Sequence, residues 1–599
     1  MFDTKQSAEN ATIQSFLNCY LRETGNFEEA PGYEGAPLLI KTDGIEKVII
    51  SKLVLQNIEL VAGVKYWSAT DRHLFAFPIY YRTAGSENLQ PIDYVTLTSL
   101  IVKEFLLDKS FRGAEDELIQ RVILSCRSIK TYLEARIGDA DALTQETVEF
   151  IEAEQSLLFG HLLHPTPKSK QGLTETEDAA YSPERKGMYQ LHYFAAGKSL
   201  ILQDSSRPNS AASMILEELQ NDETVDQEWL SKVIEKDEKV LIPVHPLQVK
   251  HLLEQPEVKV RIANGELDYI GPAGKEFTGT SSFRTVYSRN SKYMYKFSVP
   301  VKITNSLRIN QAKELARGVE VSRLMETEAG QRIKRNFPDF RILEDPAYMN
   351  LVSENELSGF EVVIRDNPFY ENSENTSLIA GLCQDHAFGG KPRLHSIITG
   401  IAVRENRTVE EVSIDWFNRY LSLTLDPMIW LFNTYGIVLE AHQQNSVIKL
   451  GDGYPETFYY RDNQGYYYSE SKADKLIELL PGLSTLSETI CGDDVAEERF
   501  RYYFFFNHLF GLINGFGVSG LIKEKELISV LKERLKKHEE TMPSDLLSSL
   551  LYQPVLPCKA NLLTRFYDMD ELVGPMESQS VYTMVKNPIA EEVEIPHAL

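Results

Sequence analysis

Residues 281–313 read SSFRTVYSRNSKYMYKFSVPVKITNSLRINQAK. The first part is written for strands. Residues 283–287 and 293–297 are rich in aromatic and β-branched side chains, and the turn-like SRNSK between them predicts a hairpin centred near Asn290. Val299, Val301 and Ile303 then share one face of a further strand. Asn305 follows as an N-cap residue, which predicts a helix through Leu307, Ala312, Leu315 and Val319 with Arg308 in its first turn. Strands and helices mixed in this way, without a regular βαβ period along the chain, give an α+β class.

The same stretch is the chemical anomaly of the chain. It holds seven Lys or Arg residues and no Asp or Glu, whereas all 599 residues carry 62 Lys+Arg against 87 Asp+Glu, a net charge of -25. Arg284 and Lys296 lie six residues either side of the predicted hairpin centre, near cross-strand neighbours, where like charges repel. An anion between them turns repulsion into attraction, with arginine as a fork and lysine as a point charge. Arg308 in a first helical turn opposes the helix dipole unless both face an anionic ligand. Either this is a solvated basic face, or it is a site for a small polyanion: a nucleotide phosphate with a carboxylate beside it.

The acidic remainder argues against general nucleic-acid binding, which needs a broad basic face. A hydrophobic content of 43% is ample for several cores. Cys19, Cys126, Cys383, Cys491 and Cys558 are odd in number and never in CxxC spacing, which predicts free cytosolic thiols rather than disulfides or a zinc site. The N-terminus has no secretory pattern and looks like an amphipathic helix. The most apolar run, 504–522, contains Asn507, His508, Asn514 and four glycines, so it predicts a buried helix, a turn and a second element rather than a membrane span.

Along the rest of the chain, 47–58 alternates as a strand and 94–107 is helix-like. Polar stretches near 138–141 and 370–377 are candidate boundaries. A helix is expected over 145–159, capped by Thr144, and then a Pro-rich loop from His161 to Gly172. In that loop Lys168, Ser169 and Lys170 can hold phosphate, although an ordinary surface loop fits equally. Gly436 stops a helix and 437–441 is a short strand leading into EAHQQN. Residues 446–450 and 457–461 flank GDG at 451–453, a hairpin signal. Folding that hairpin brings Asn445 and Asp462 to one open end, where with Glu440 they make an oxygen-ligand set for Mg²⁺. His442 reads equally as a core histidine or a binding group. The order of His442, Asn445 and Asp462 parallels the catalytic loop and metal aspartate of kinases, an analogy that keeps a phosphotransferase reading open.

Four motifs, in order, are more specific than any one: GHLLHPTPKSKQG, LIPVHPLQ, TSSFRTVY…KFSVPVKITNSLRIN and EAHQQNSV…YRDNQG. Together they resemble the IucA/IucC family, siderophore synthetases that work independently of nonribosomal peptide synthetases, from Thr12 to about Pro588. ATIQSFLNCYLRETG, EAEQSLLFGH and RYYFFFNHLFGLINGFG are most similar to the petrobactin-type enzymes that join citrate to spermidine. The resemblance implies a hand-like architecture, with a thumb over 1–140, fingers over 141–375 and a palm over 376–599 that carries the kinase-like analogy, in a cytoplasmic homodimer. It implies a ligase that turns ATP and citrate into citryl-adenylate and pyrophosphate, then condenses the citryl group with a primary amine, most readily a polyamine such as spermidine. Another amine or alcohol, a citryl monoamide acceptor, or a non-catalytic ferric-siderophore binder are the alternatives. Neither nucleic acid nor membrane is an expected partner. By motif, the resemblance assigns His161, Lys168, Ser169, Ser282, Arg284, Lys296, Asn305, Gln444 and Asn445 to ATP. It assigns Thr304, Arg308 and His442 to citrate and Glu440 and Asp462 to Mg²⁺, with His442, Arg308 and Lys296 as the catalytic set. The chain departs from the family at Leu162, often Pro, and Lys170, often Arg.

Overall fold

The structure is a computed structural model, and it describes residues 2–30, 44–108, 113–235, 239–304, 306–355, 357–569 and 580–590. Helices and strands are intermixed throughout, a mixed α and β architecture. The N-terminal helix Thr4–Thr24 begins where the Asp3 carboxylate accepts the Gln6 N–H and ends at Gly25 in the left-handed conformation. It packs with helices Tyr94–Leu107 and Glu115–Arg136 and a five-stranded meander in sequential order. The core there joins Phe16, Leu60, Phe75 and Leu97 to Leu562 and Phe566, so the chain returns to its start near its end.

The second core, around Phe194, Ile242, Val286 and Val362, lies under an eight-stranded antiparallel sheet. The basic hairpin forms the middle of that sheet. Strand Tyr293–Phe297 pairs with Val362–Asp366 on one side and with Thr285–Tyr287 on the other, and the latter pairs with Leu267–Gly279. The expected hairpin is present, but its register sets Thr285, not Arg284, opposite Lys296. Arg284 precedes the strand and follows Phe283, which has φ of 70°. That left-handed residue redirects the chain, and Arg284 and Lys296 reach one cavity although they are not cross-strand partners.

The helix expected from Asn305 through Val319 is present but starts late. Ser306–Leu307 pairs as a strand with Lys302–Ile303, which also takes Lys170–Gln171 as a neighbour, and the helix starts at Ala312 under a Gln311–Glu314 capping box. Asn305 itself lies outside the described residues. Asn310 explains the delay. Its side-chain amide donates to the Lys296 and Glu361 carbonyls at 3.0 and 3.3 Å and its N–H to Ser298 Oγ at 2.9 Å, so buried tertiary bonds hold the chain extended against local helix preference. Arg308 is therefore outside the helix, and the dipole argument for it falls.

The helix expected over 145–159 shrinks to Phe150–Glu154, capped by Glu149 rather than Thr144, because Glu149 bridges to Glu374 and the Phe150 N–H donates to the Ser373 carbonyl. In the apolar run, a π-helical stretch Arg501–Leu509 continues unbroken into Phe510–Val518, with no turn between them. The large C-terminal core surrounds the helix Val409–Tyr435, which Gly436 stops as expected. The hairpin Ser446–Gly451 with Tyr454–Tyr460 forms in the expected place. Among the described residues no helix is long and apolar enough to cross a membrane.

Candidate active site

A cavity of about 410 Å³ opens between the eight-stranded sheet and the C-terminal hairpin. Of the site residues expected from sequence, His161, Lys168, Ser282, Arg284, Lys296, Thr304, Arg308, Glu440, His442, Gln444, Asn445 and Asp462 all line it. Ser169 does not: it is fully buried and its Oγ has no hydrogen-bond partner.

One part of the cavity is lined by buried cations. Arg284, 5% exposed, donates to Asn310 Oδ1 and Gln464 Oε1, both at 3.1 Å, so its hydrogen-bond partners are neutral amides. Burial pulls its pKa down against the attraction of Glu314 and Asp462. Lys296 donates to Asp462 Oδ1 at 2.7 Å. Burial brings Lys296 down to about 8 against the attraction of Asp462. Asp462 resists its own burial and is held well below the carboxylate range by Lys296 and Arg365. Asp462, at φ of 91°, is a second left-handed non-glycine residue at this wall, and such strain clusters where function fixes geometry.

The Pro-rich loop closes the same side. Lys168 Nζ donates to Glu184 Oε1 at 2.5 Å and Lys170 Nζ to Glu184 Oε2 at 2.7 Å. Burial would raise Glu184, but the two lysines hold it down to about 2. Lys168 thus reaches the cavity already paired. His161 accepts the Leu163 N–H on Nδ1 at 3.0 Å, and burial drops its pKa to about 3.

At this wall sits a pair that sequence reasoning missed: Arg461 lines the cavity and Glu154 lies behind it. Glu154, fully buried, meets Arg461 at 2.8 Å and accepts the Ser281 N–H and Oγ–H at 2.9 and 2.7 Å. Arg461 also donates to the Gln444 carbonyl at 2.7 Å. The pair ties the Ser281–Ser282 turn to the EAHQQN segment across 307 residues of chain. No spacing rule reaches that far; the only signal was that Glu154 and Arg461 fall inside the family motifs.

Arg308, Thr304 and His442 add further hydrogen-bond donors to the cavity. Arg308 Nη2 donates to Thr304 Oγ1 and to the Ile303 carbonyl, each at 3.1 Å, and Thr304 has φ of 53°. His442 accepts the Asn445 N–H on Nδ1 at 3.2 Å, and burial lowers its pKa to about 4. The neutral ring therefore carries its proton on Nε2, available to a ligand oxygen.

The hairpin's open end gathers the expected oxygen donors. Asn445 Nδ2 donates to the Glu440 carbonyl at 3.1 Å and reaches Asp462 Oδ2 at 3.5 Å. Glu440 takes a hydrogen bond from the Tyr467 hydroxyl, and burial raises its pKa. Among the described residues no three His, Cys, Asp or Glu side chains converge as a metal cage. Two carboxylates in a cation-rich cleft fit a Mg²⁺ ion that takes its remaining ligands from phosphate and water, and fit no metal held by protein alone.

A Bacillus anthracis protein, spermidine-citrate ligase, is 48% identical to this chain, covering 99% of it and 100% of that protein. The chain belongs to the IucA/IucC family. A model described as the IucA / IucC family matches residues 149–384, which carry the Pro-rich loop and the basic hairpin. A second, described as ferric iron reductase FhuF-like transporter, matches 414–574. Within the IucA/IucC family, rhizobactin siderophore biosynthesis protein RhbC of Rhizobium meliloti is 35% identical over 99% of both chains. The solved structure of ATP-bound aerobactin synthetase IucA from Klebsiella pneumoniae superposes with a TM-score of 0.86 at 26% identity, covering 97% of this chain and 100% of that one.

Proposed function

We propose that this chain is an ATP-dependent ligase that adenylates citrate and passes the citryl group to a primary amine, with spermidine the first candidate. The observation that carries it is one cavity lined by Arg284 and Lys296 together with Thr304, Arg308 and His442, cations and hydrogen-bond donors enough for two anions. A carboxylate is a poor electrophile, so the amide bond needs an activated acyl group. A citrate carboxylate oxygen attacks the α-phosphorus of ATP, and the bond to pyrophosphate breaks. Arg284, His161 and Ser282 hold the phosphate chain, and Lys296 offsets charge as it develops. Arg308 and Thr304 bind the carboxylates that do not react, and His442 Nε2 donates to the one that does. Glu440 and Asp462 would hold Mg²⁺ with Asn445 beside them, and the ion would supply charge neutralisation on phosphate oxygens. The amine nitrogen then attacks the acyl carbon, AMP departs, and the amine proton passes to water or a base.

The thumb, fingers and palm of 1–140, 141–375 and 376–599 are part of the same proposal. Three large cores around Phe16, Phe194 and Trp416 support a three-part chain, although the first takes in Leu562 and Phe566 and the third reaches back to Val321–Phe340, and the convergence of His442, Asn445 and Asp462 supports a kinase-like palm. Five buried free cysteines support a reducing, cytoplasmic setting, and a homodimer follows from the family resemblance. The deciding experiment is citrate-dependent ATP–pyrophosphate exchange, followed by an amine panel with product masses. AMP and pyrophosphate with a citryl-spermidine product are the expected outcome. ADP in place of AMP, or no citrate-dependent exchange, overturns the assignment.

A further inference from the structure

The carboxylate half rests on a very small base. Thr304 sits in the turn between Lys302–Ile303 and Ser306–Leu307, two-residue strands whose one outer neighbour is Lys170–Gln171. Six strand residues cannot by themselves keep a β-branched residue at φ of 53°, a region such residues avoid. Two arginines from opposite ends of the chain supply the restraint. Arg121, on the helix Glu115–Arg136, donates Nη1 to the Thr304 carbonyl at 2.8 Å; Arg565, on Asn561–Phe566, donates Nη1 to the same oxygen at 3.3 Å. Their side chains are 1% and 0% exposed. Charge-assisted bonds in so dry a setting are strong and directional. Glu117 fixes Arg121 by accepting from Nε at 2.6 Å, and the same Oε1 accepts from Gln171 Nε2 at 2.9 Å, which closes the network onto the small sheet.

We propose that Arg121, seconded by Arg565, is a positioning residue for the carboxylate substrate. By pinning the Thr304 carbonyl it fixes the opposite face of that residue, where Thr304 Oγ1 meets Arg308 Nη2. Neither Arg121 nor Arg565 lines the cavity, so each acts on substrate only through Thr304. The inference rests on the citrate-adenylation reading. It also gives the helix Glu115–Arg136 a task in the reaction, through Arg121 and the Glu117 that holds it.

The test is ATP–pyrophosphate exchange with the full-length chain, varying citrate and ATP separately. Exchange by the unaltered protein is the control: its absence defeats the adenylation reading itself. Given that control, R121Q raises the citrate KM by roughly tenfold or more and leaves the ATP KM within about twofold, because a buried charged hydrogen bond is lost at one site only. R121K, which restores the charge, recovers part of the loss. If R121Q does not fold, E117A releases the Arg121 side chain while leaving it in place, and it raises the citrate KM alone by several-fold. An unchanged citrate KM in a folded R121Q or E117A protein overturns the proposal, as does a parallel rise in both KM values.

Discussion

The two halves of the cleft are held in different ways. The phosphate half grows from the centre of an eight-stranded sheet and from a regular hairpin: Lys296 sits on a strand with neighbours on both sides, and Asp462 just past a strand end. The carboxylate half hangs on two-residue strands and is steadied by arginines from residues 121 and 565. A rigid scaffold can hold a charge that burial disfavours, and Arg284 is held that way. A small loop cannot, and Arg308 is accordingly braced by Thr304 and the Ile303 carbonyl before any ligand arrives. The contrast teaches that preorganisation for ATP is intrinsic to the sheet, whereas preorganisation for the acid substrate depends on distant parts of the chain.

The largest break in that contrast is R284Q. Its loss lowers citrate-dependent exchange by about 10²–10³-fold, the scale for removing one preorganised charge donor. Because the hydrogen-bond partners of Arg284 are neutral amides and burial outweighs the attraction of Glu314 and Asp462, the same change leaves the thermal midpoint of the ligand-free protein unchanged or higher. A clear fall in that midpoint in a calorimetric scan defeats the view of Arg284 as a stored cation. R308A comes next. It weakens citrate use by about 2–3 kcal/mol, roughly 30–150-fold in KM, with ATP KM little changed. Equal losses for both substrates in the exchange assay mean that the two halves are one.

The same difference explains what the sequence revealed. The basic hairpin, the 446–460 hairpin and the gathering of Glu440, Asn445 and Asp462 were legible because strand alternation and turn residues are local signals. The stretch from 304 to 311 was not, because Asn310 is pinned by Ser298, Lys296 and Glu361, and those tertiary bonds outweigh helix preference. The register is one residue off because the hairpin is centred between Asn290 and Ser291, and the way Arg284 reaches the cavity depends on a left-handed phenylalanine, which no propensity anticipates. Lys168 was legible as a cavity residue, but not its pairing with Glu184, sixteen positions on, which leaves Arg284 as the less compensated cation.

The smallest expected effect is a pH dependence confined to one half. Burial lowers Lys296 to about 8 from its ordinary value near 10.5, so the free enzyme loses this charge as pH rises through 8, while Asp462 stays ionised. Activity needs the protonated form, since an uncharged amine cannot offset the phosphates. In the exchange assay, which needs no amine substrate, kcat/KM for ATP therefore declines about tenfold per pH unit above 8. On the other side His442, at about 4, is neutral throughout that window, and a guanidinium such as Arg308 stays charged, so the citrate KM at saturating ATP stays flat. K296R lifts the alkaline limb out of range, because a guanidinium does not titrate there. A citrate KM that climbs together with the ATP limb places Lys296 in contact with both anions and erases the division between the halves; a limb that persists in K296R assigns the titration to another group.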